Sequence, residues 1–142
     1  MAPYEYTISL RIWHPSMPHE EILEAISRPA TSCWTAGDPR FSPKGKPLGR
    51  AKTTYLTTAL TADSVLSDPI EVEHALQAQV DDLTPLTAFF KKIRDEGGKA
   101  ELFVGLFSPN NLVIEIEPSL MAKFAKCELS ISLDYYPWER FA

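Results

Sequence analysis

The sequence predicts an α+β fold: a two-layer sandwich with helices on one face of a mainly antiparallel sheet. Segments that alternate apolar and polar residues, such as 4–13, are interspersed with segments of helical periodicity, such as 72–83. Most of the predicted strands have one polar face, which is typical of antiparallel sheets with one solvated side. The predicted order is β-α-β-β-α-β-β-α-β, a broadly ferredoxin-like arrangement.

The first half of the chain begins with a strand at 4–13 that has one apolar face. A helix at 18–27 follows, with Glu20 in its first turn, where a carboxylate interacts favourably with the positive end of the helix dipole. Short strands are predicted at 30–36 and at 53–60, the second because it is rich in β-branched residues. The segment between them, 37–50, contains three glycines and three prolines, and we expect no regular element there.

The second half begins with a helix that Asp68 is expected to cap, with Pro69 at its first position. Pro85 should break this helix into two parts, and Gly97 and Gly98 should end the second part. The remaining predicted elements are a hairpin of strands at 101–107 and 112–117, a helix at 118–126 and a last strand at 128–136.

Length and composition indicate one globular domain spanning residues 1–142. No apolar run reaches the 18 or so residues of a membrane span, and the N-terminus does not resemble a signal peptide. The two cysteines form no recognisable pair, which favours a cytoplasmic protein with reduced thiols. A net charge of −5 argues against nucleic-acid binding, because binding to phosphates needs a basic face.

Recognisable catalytic and cofactor motifs are missing from the sequence. The glycines fit neither a phosphate-binding loop nor a dinucleotide fingerprint, and no serine lies in a nucleophile-elbow motif. His14 and His19 are expected as exposed turn residues, and His74 as a solvated helix residue. We therefore expect no metal and no cofactor, assign no catalytic residue, and favour binding over enzymatic activity.

One segment has an unusual charge. Residues 37–52 contain five basic residues and one acid, so their net charge is +4 while the rest of the chain carries −9. Long loops inside compact domains are usually functional or disordered. Arginine can bind a carboxylate with two hydrogen bonds, and neighbouring aromatic rings can supply apolar contact area. The candidate ligand- or partner-binding residues are Arg11, Trp13, Trp34, Asp38, Arg40, Lys44 and Tyr55. The alternative is a purely structural, ordered proline-rich hairpin loop that Asp38 and Arg40 hold together.

Several segments, in this order, are similar to a known family. They are SLRIW (9–13), GDPR (37–40), PKG (43–45), GGKAELFVG (97–105) and LSISLDYYP (129–137). Together they resemble a bacterial domain-of-unknown-function family, number 4279, over nearly the whole chain. The resemblance implies a small, stand-alone bacterial protein and carries over no activity. It draws attention to Arg11, Trp34, Gly37, Asp38 and Arg40.

The leading hypothesis is a non-catalytic protein-binding module, immunity-like or regulatory, whose basic loop holds an acidic protein. The alternative is an enzyme or small-ligand-binding protein with a pocket between loop 37–52 and the sheet, built from Arg11, Asp38, Arg40 and His14. A homodimer is compatible with either hypothesis. The aromatic C-terminus at 135–142 is expected either to fold back over the core, which we favour, or to form an oligomer contact.

Overall fold

The structure is a computed structural model that describes residues 3–138. Its strands are β1 Glu5–His14, β2 Ser32–Trp34, β3 Pro39–Phe41, β4 Pro47–Arg50, β5 Thr54–Ala59, β6 Val65–Leu66, β7 Lys99–Phe107 and β8 Ser130–Tyr136. Its α-helices are α1 His19–Ile26, α2 Val72–Leu83, α3 Thr87–Asp95 and α4 Pro118–Lys126. A short 3-10 helix, Thr84–Leu86, joins α2 to α3. None of the helices in this part of the chain is long and apolar enough to cross a membrane.

The main sheet has the strand order β2-β5-β1-β7-β8, and β6 pairs with β1 beyond the end of β5. All of its pairs are antiparallel except β7 with β8. The order β2-β5-β1-β7 is that of a ferredoxin-like β-α-β-β-α-β unit, to which α4 and β8 add a fifth, parallel strand. The predicted α+β class, with a mainly antiparallel sheet and helices on one face, is confirmed.

The core lies between the helices and one face of the sheet. In β1 every second residue is buried, and Leu10 and Ile12 are completely inaccessible to solvent. Each such side chain contributes about 1.5–3 kcal/mol by leaving water. The helices cover them with residues such as Ile22, Leu76 and Phe90, which are also fully buried. The intervening side chains of β1 point to the opposite face, which no helix in residues 3–138 covers.

The segment 37–50 differs from the prediction, because it contains the hairpin β3–β4 instead of irregular chain. Gly45 has a φ of +84° next to the turn, a conformation that glycine adopts without strain. Pro39 and Pro47 are tolerated because both strands of a two-stranded ribbon are edge strands, where a missing N–H can face solvent. The two prolines therefore begin the strands and Gly45 lies beside the turn, so these residues do not exclude a hairpin.

The predicted strand at 112–117 is wrong, and so is the hairpin with 101–107. The alternation is real, because Leu112, Ile114 and Ile116 pack against the core. Both edges of β7 are already occupied, by β1 and by β8. The segment instead forms part of the crossover that a parallel pair requires, which continues into α4. The order of elements changes accordingly, with β6 as an additional short strand.

The helix predicted to start after Asp68 begins at Val72. The Val72 N–H donates a hydrogen bond of 3.1 Å to the Tyr4 hydroxyl, so a distant side chain takes the place of the expected local cap. The predicted break at Pro85 is confirmed by the 3-10 helix there.

At the C-terminus, Trp138 packs edge-on against Phe107 and Tyr136, and residues 139–142 lie outside the described part of the chain.

Candidate functional site

Three aromatic side chains form a row across the uncovered face of the sheet. Trp13 of β1 lies opposite Tyr55 of β5, and Tyr55 lies opposite Trp34 of β2. The ring centroids of Trp13 and Tyr55 are 5.3 Å apart, and those of Trp34 and Tyr55 are 4.7 Å apart. We call Trp13, Tyr55 and Trp34 the aromatic row. Its members were all predicted as site residues, and the strand register brings them together.

Arg11 extends this row towards β7. Its guanidinium carbon lies 4.8 Å from the Trp13 ring centroid and 4.3 Å from the Phe103 ring centroid. Cation–π contacts of this kind contribute about 0.5–2 kcal/mol, more when they are shielded from water. The rings hold the guanidinium in place, and 27% of the Arg11 side chain remains exposed.

Glu101 is the buried partner of Arg11 across the β1–β7 pair. The residue is only 2% exposed, although it lies on the uncovered face of the sheet. Its Oε1 is 3.4 Å from Arg11 Nε, and its Oε2 accepts a 2.6 Å hydrogen bond from the Ser132 hydroxyl and lies 3.3 Å from Lys99 Nζ. Two cations and a hydroxyl therefore compensate a carboxylate that would be costly to bury alone.

The Arg11 Nε atom is buried and has no hydrogen-bond partner among residues 3–138. Its contact with Glu101 is thus an ion pair without hydrogen-bond geometry. No pattern in the sequence singles out Glu101, Lys99, Phe103 or Ser132. Only the strand register shows that Phe103 and Glu101 contact Arg11, and that Lys99 and Ser132 contact Glu101.

The hairpin β3–β4 is joined to the sheet by a hydrogen-bonded base. Gly37 N–H donates to the Ala51 carbonyl and Ala51 N–H donates to the Asp38 carbonyl, each at 2.8 Å. The Asp38 carboxylate accepts a 2.8 Å hydrogen bond from Thr35 N–H. The Trp34 indole N–H donates to the Thr53 carbonyl at 3.0 Å, so one member of the aromatic row also holds the base.

The basic side chains of the hairpin and its exit are not neutralised. Arg40, Lys44, Lys46, Arg50 and Lys52 are exposed, and none of them forms an ion pair with another described residue. By contrast, six of the eight other described Lys and Arg residues do form ion pairs. Phe41 and Leu48, at 60% and 48% exposure, add apolar surface to the same hairpin.

The predicted site residues thus fall into two groups. Arg11, Trp13, Trp34 and Tyr55 lie together on the sheet, and the other three, Asp38, Arg40 and Lys44, lie on the hairpin or at its base. No hydrogen bond, ion pair or ring contact joins the second group to the aromatic row. In the second group, the side chain of Asp38 has a structural role, because it accepts the hydrogen bond from Thr35 N–H.

His14 was expected to be exposed, and this expectation is wrong, since the residue is 5% exposed. Its Nδ1 accepts hydrogen bonds from the N–H groups of Ser16 and Met17, at 3.0 and 2.7 Å. Its Nε2 lies 2.8 Å from a carboxylate oxygen of Glu96, to which it can donate. His14 shares the buried face of β1 and is therefore on the opposite side of the sheet from Arg11.

A shallow cavity of about 340 Å³ opens at the end of β1, where β5 and β7 begin. Its lining residues are Trp13, His14, Pro15, Thr53, Gly97, Gly98 and Lys99. Most of its surface is apolar, and it borders the aromatic row through Trp13. In the described part of the chain, no three His, Cys, Asp or Glu side chains gather in a way that could hold a metal ion.

Fold and site together define a small α+β sandwich with an uncovered sheet face, an aromatic row on that face and a projecting basic hairpin. The family described as Domain of unknown function (DUF4279) matches residues 4–138, and the chain belongs to this family. The resemblance predicted from five short sequence segments is confirmed. No curated protein and no solved structure matches the chain.

Proposed function

We propose that this protein is a non-catalytic protein-binding module that holds an acidic partner protein with its hairpin and aromatic row. The observation that carries the proposal is the set of five exposed basic residues at 37–52 without an ion-pair partner in residues 3–138. In this proposal the protein acts in the bacterial cytoplasm, in an immunity-like or regulatory role.

The distribution of charge supports an acidic partner. Residues 37–52 carry +4 and the rest of the chain −9. An acidic protein is therefore attracted to the hairpin and repelled by the remaining surface, which orients it before contact. Screening limits such steering to distances of about 8–10 Å at physiological salt. A projecting hairpin suits this range, because it extends its charges away from the acidic body.

The side chains next to these charges support a protein partner in particular. Phe41 on the hairpin and Trp34 at its base are exposed aromatic residues, a residue type enriched among binding hot spots. Arg40 can form a fork-like pair of hydrogen bonds with a partner carboxylate. The combination of basic and apolar groups on one exposed hairpin fits a protein surface better than a small molecule.

The alternative, a small-ligand pocket built from Arg11, Asp38, Arg40 and His14, has less support. Asp38 is engaged with the Thr35 N–H, Arg11 faces Glu101, and His14 lies on the other face of the sheet. These groups do not converge on a common ligand.

Affinity capture with purified variants tests the proposal. The wild type, an Arg40→Ala/Lys44→Ala variant and a matched Lys92→Ala/Lys126→Ala variant are immobilised and exposed to bacterial lysate. Both variants lose two exposed lysine or arginine charges that form no ion pair in residues 3–138. We expect an acidic protein to bind the wild type and the helix variant and to bind the hairpin variant about tenfold more weakly, which corresponds to about 1.4 kcal/mol.

Binding to the purified partner should weaken as salt is raised, because the proposed contacts are charged. Identical, background-level protein lists for all three forms would refute the proposal. An equal loss of binding in the two variants would refute the role of the hairpin.

A further inference from the structure

The outer strand of the sheet, β8, has an edge that no strand within residues 3–138 covers. The Tyr136 carbonyl accepts a 3.1 Å hydrogen bond from Ser108 N–H, so the backbone polar groups of Tyr136 face β7. Backbone direction alternates along a strand. The N–H and C=O groups of Ile131, Leu133 and Tyr135 therefore point outward, where they can pair with another strand.

The same three residues carry apolar side chains on the helix side of the sheet, of which Ile131 is partly buried against the core and the other two are exposed. Leu133 is 48% and Tyr135 is 45% exposed. An apolar groove of about 350 Å³ lies beside them, lined by Ile116, Met121, Phe124, Ala125, Leu129 and Ile131. Natural edge strands are usually protected by charges, prolines or short length. The seven residues of β8 include one charge, Asp134, and no proline.

We propose that β8 pairs antiparallel with β8 of a second copy of this chain, so that the two sheets join into one. A two-fold axis at Leu133 places this residue opposite its own copy and places Ile131 opposite Tyr135 of the second copy. This register uses all three outward-facing residues. Because each of them donates and accepts one hydrogen bond, the interface is self-complementary, as two-fold dimers require.

The charge pattern of β8 agrees with this register. With the axis at Leu133, Asp134 lies opposite Ser132 of the second copy, so no carboxylate faces another carboxylate. An axis at Asp134 would place two like charges about 4.5 Å apart between Cα atoms, which is unfavourable. On the helix side, the apolar side chains of Ile131, Leu133 and Tyr135 would meet one another. A second copy of the chain is therefore compatible with both the polar and the apolar side chains of β8.

Sedimentation velocity or light scattering over a range of protein concentrations tests the dimer. We expect the wild type to reach twice its monomer mass of 15.9 kDa. Leu133→Lys places two ammonium groups next to the axis and should raise the dissociation constant at least about tenfold, or about 1.4 kcal/mol. Leu48→Lys is the matched control, since Leu48 is also 48% exposed but lies on the hairpin. It should leave the dimer intact.

A cross-link tests the register in a Cys33→Ser background. Leu133→Cys should form a disulfide-linked dimer, because paired Cα atoms about 5.5 Å apart are within disulfide reach. Tyr135→Cys should not, because four residues, or about 13 Å, separate it from its copy. Circular dichroism confirms that each variant is folded.

Three results would overturn the inference: a wild type that stays monomeric at all concentrations, a dimer insensitive to Leu133→Lys, or a dimer lost with Leu48→Lys. Efficient cross-linking through Tyr135→Cys would overturn the register. The hairpin proposal is independent of these outcomes.

Discussion

Replacement of Arg11 by methionine would test how strongly Arg11 interacts with Glu101 when no partner protein is bound. Methionine keeps an apolar stem between Trp13 and Phe103 and removes the charge that faces the carboxylate. Glu101 is 2% exposed and would keep Lys99 and Ser132 as partners. We expect Arg11→Met to lower the free energy of unfolding.

The magnitude follows from the distances. Unit charges separated by the 3.4 Å between Arg11 Nε and Glu101 Oε1 attract by about 5 kcal/mol at an effective dielectric constant of 20. Desolvation of the carboxylate and delocalisation of both charges offset much of this. Lys99 remains 3.3 Å from Oε2, so the loss should be smaller than the roughly 3–5 kcal/mol of a buried charge left alone. We therefore expect Arg11→Met to cost about 2–3 kcal/mol, including the lost cation–π contacts.

A double-mutant cycle with Glu101→Gln isolates the pairwise interaction. Glutamine can still accept the hydrogen bond from Ser132, and a neutral amide no longer requires a nearby cation. Urea unfolding followed by circular dichroism gives the free energy of unfolding for the wild type, both single variants and the double variant. We expect a coupling energy of about 1–2 kcal/mol. A coupling energy below about 0.5 kcal/mol would refute the reasoning, and Arg11 would then be free to serve a partner.

Two further predictions concern positions outside the site. Gly98→Ala should lower the melting temperature more than Gly97→Ala in a thermal scan, because a Cβ at Gly98 would lie 2.3 Å from the Trp13 carbonyl oxygen. At Gly97 the added Cβ has room, 3.5 Å from Pro15 Cγ, and the cost is limited to the strain of a φ of +91°, about 1–2 kcal/mol. Equal effects would contradict this. Burial raises the pKa of Tyr4 to about 12 from 10.0, so its stabilising contribution is fully present below pH 10 and is lost as the pH rises through about 12. Tyr4→Phe should therefore lose less stability than the wild type in urea titrations between pH 10 and 12, and parallel losses would argue against it.

Much of the fold was predictable because burial leaves a periodic pattern in the sequence. The alternation in 4–13 predicts which side chains of β1 face the core, and Pro85 predicts where the helix breaks. The same alternation in 112–117 reports burial correctly, but it carries no information on hydrogen-bonded partners. Strand pairing there depends on which edges of β7 are already occupied, and this is a property of the whole sheet.

The candidate site was predictable in its aromatic part and not in its charged part. Trp13, Trp34 and Tyr55 were identified by residue type and position. The contact between Arg11 and Glu101 depends on a register that joins residues 90 positions apart. The two strands of the hairpin were missed because glycine and proline occur both in irregular loops and in two-stranded ribbons. Its charge, however, was evident from the sequence.

The central position of β1 has a consequence for biosynthesis. This strand leaves the ribosome before the other strands of the sheet, yet Leu10 pairs on one side with Thr58 and on the other with Leu102. One of its edges can pair as soon as β5 has been translated, but the other edge stays unpaired until β7 emerges, when most of the chain has been made. Pairings so distant in sequence close late and slowly. The nascent chain therefore exposes an unpaired edge of β1 until β7 emerges, and C-terminal truncations before β7 should aggregate instead of folding.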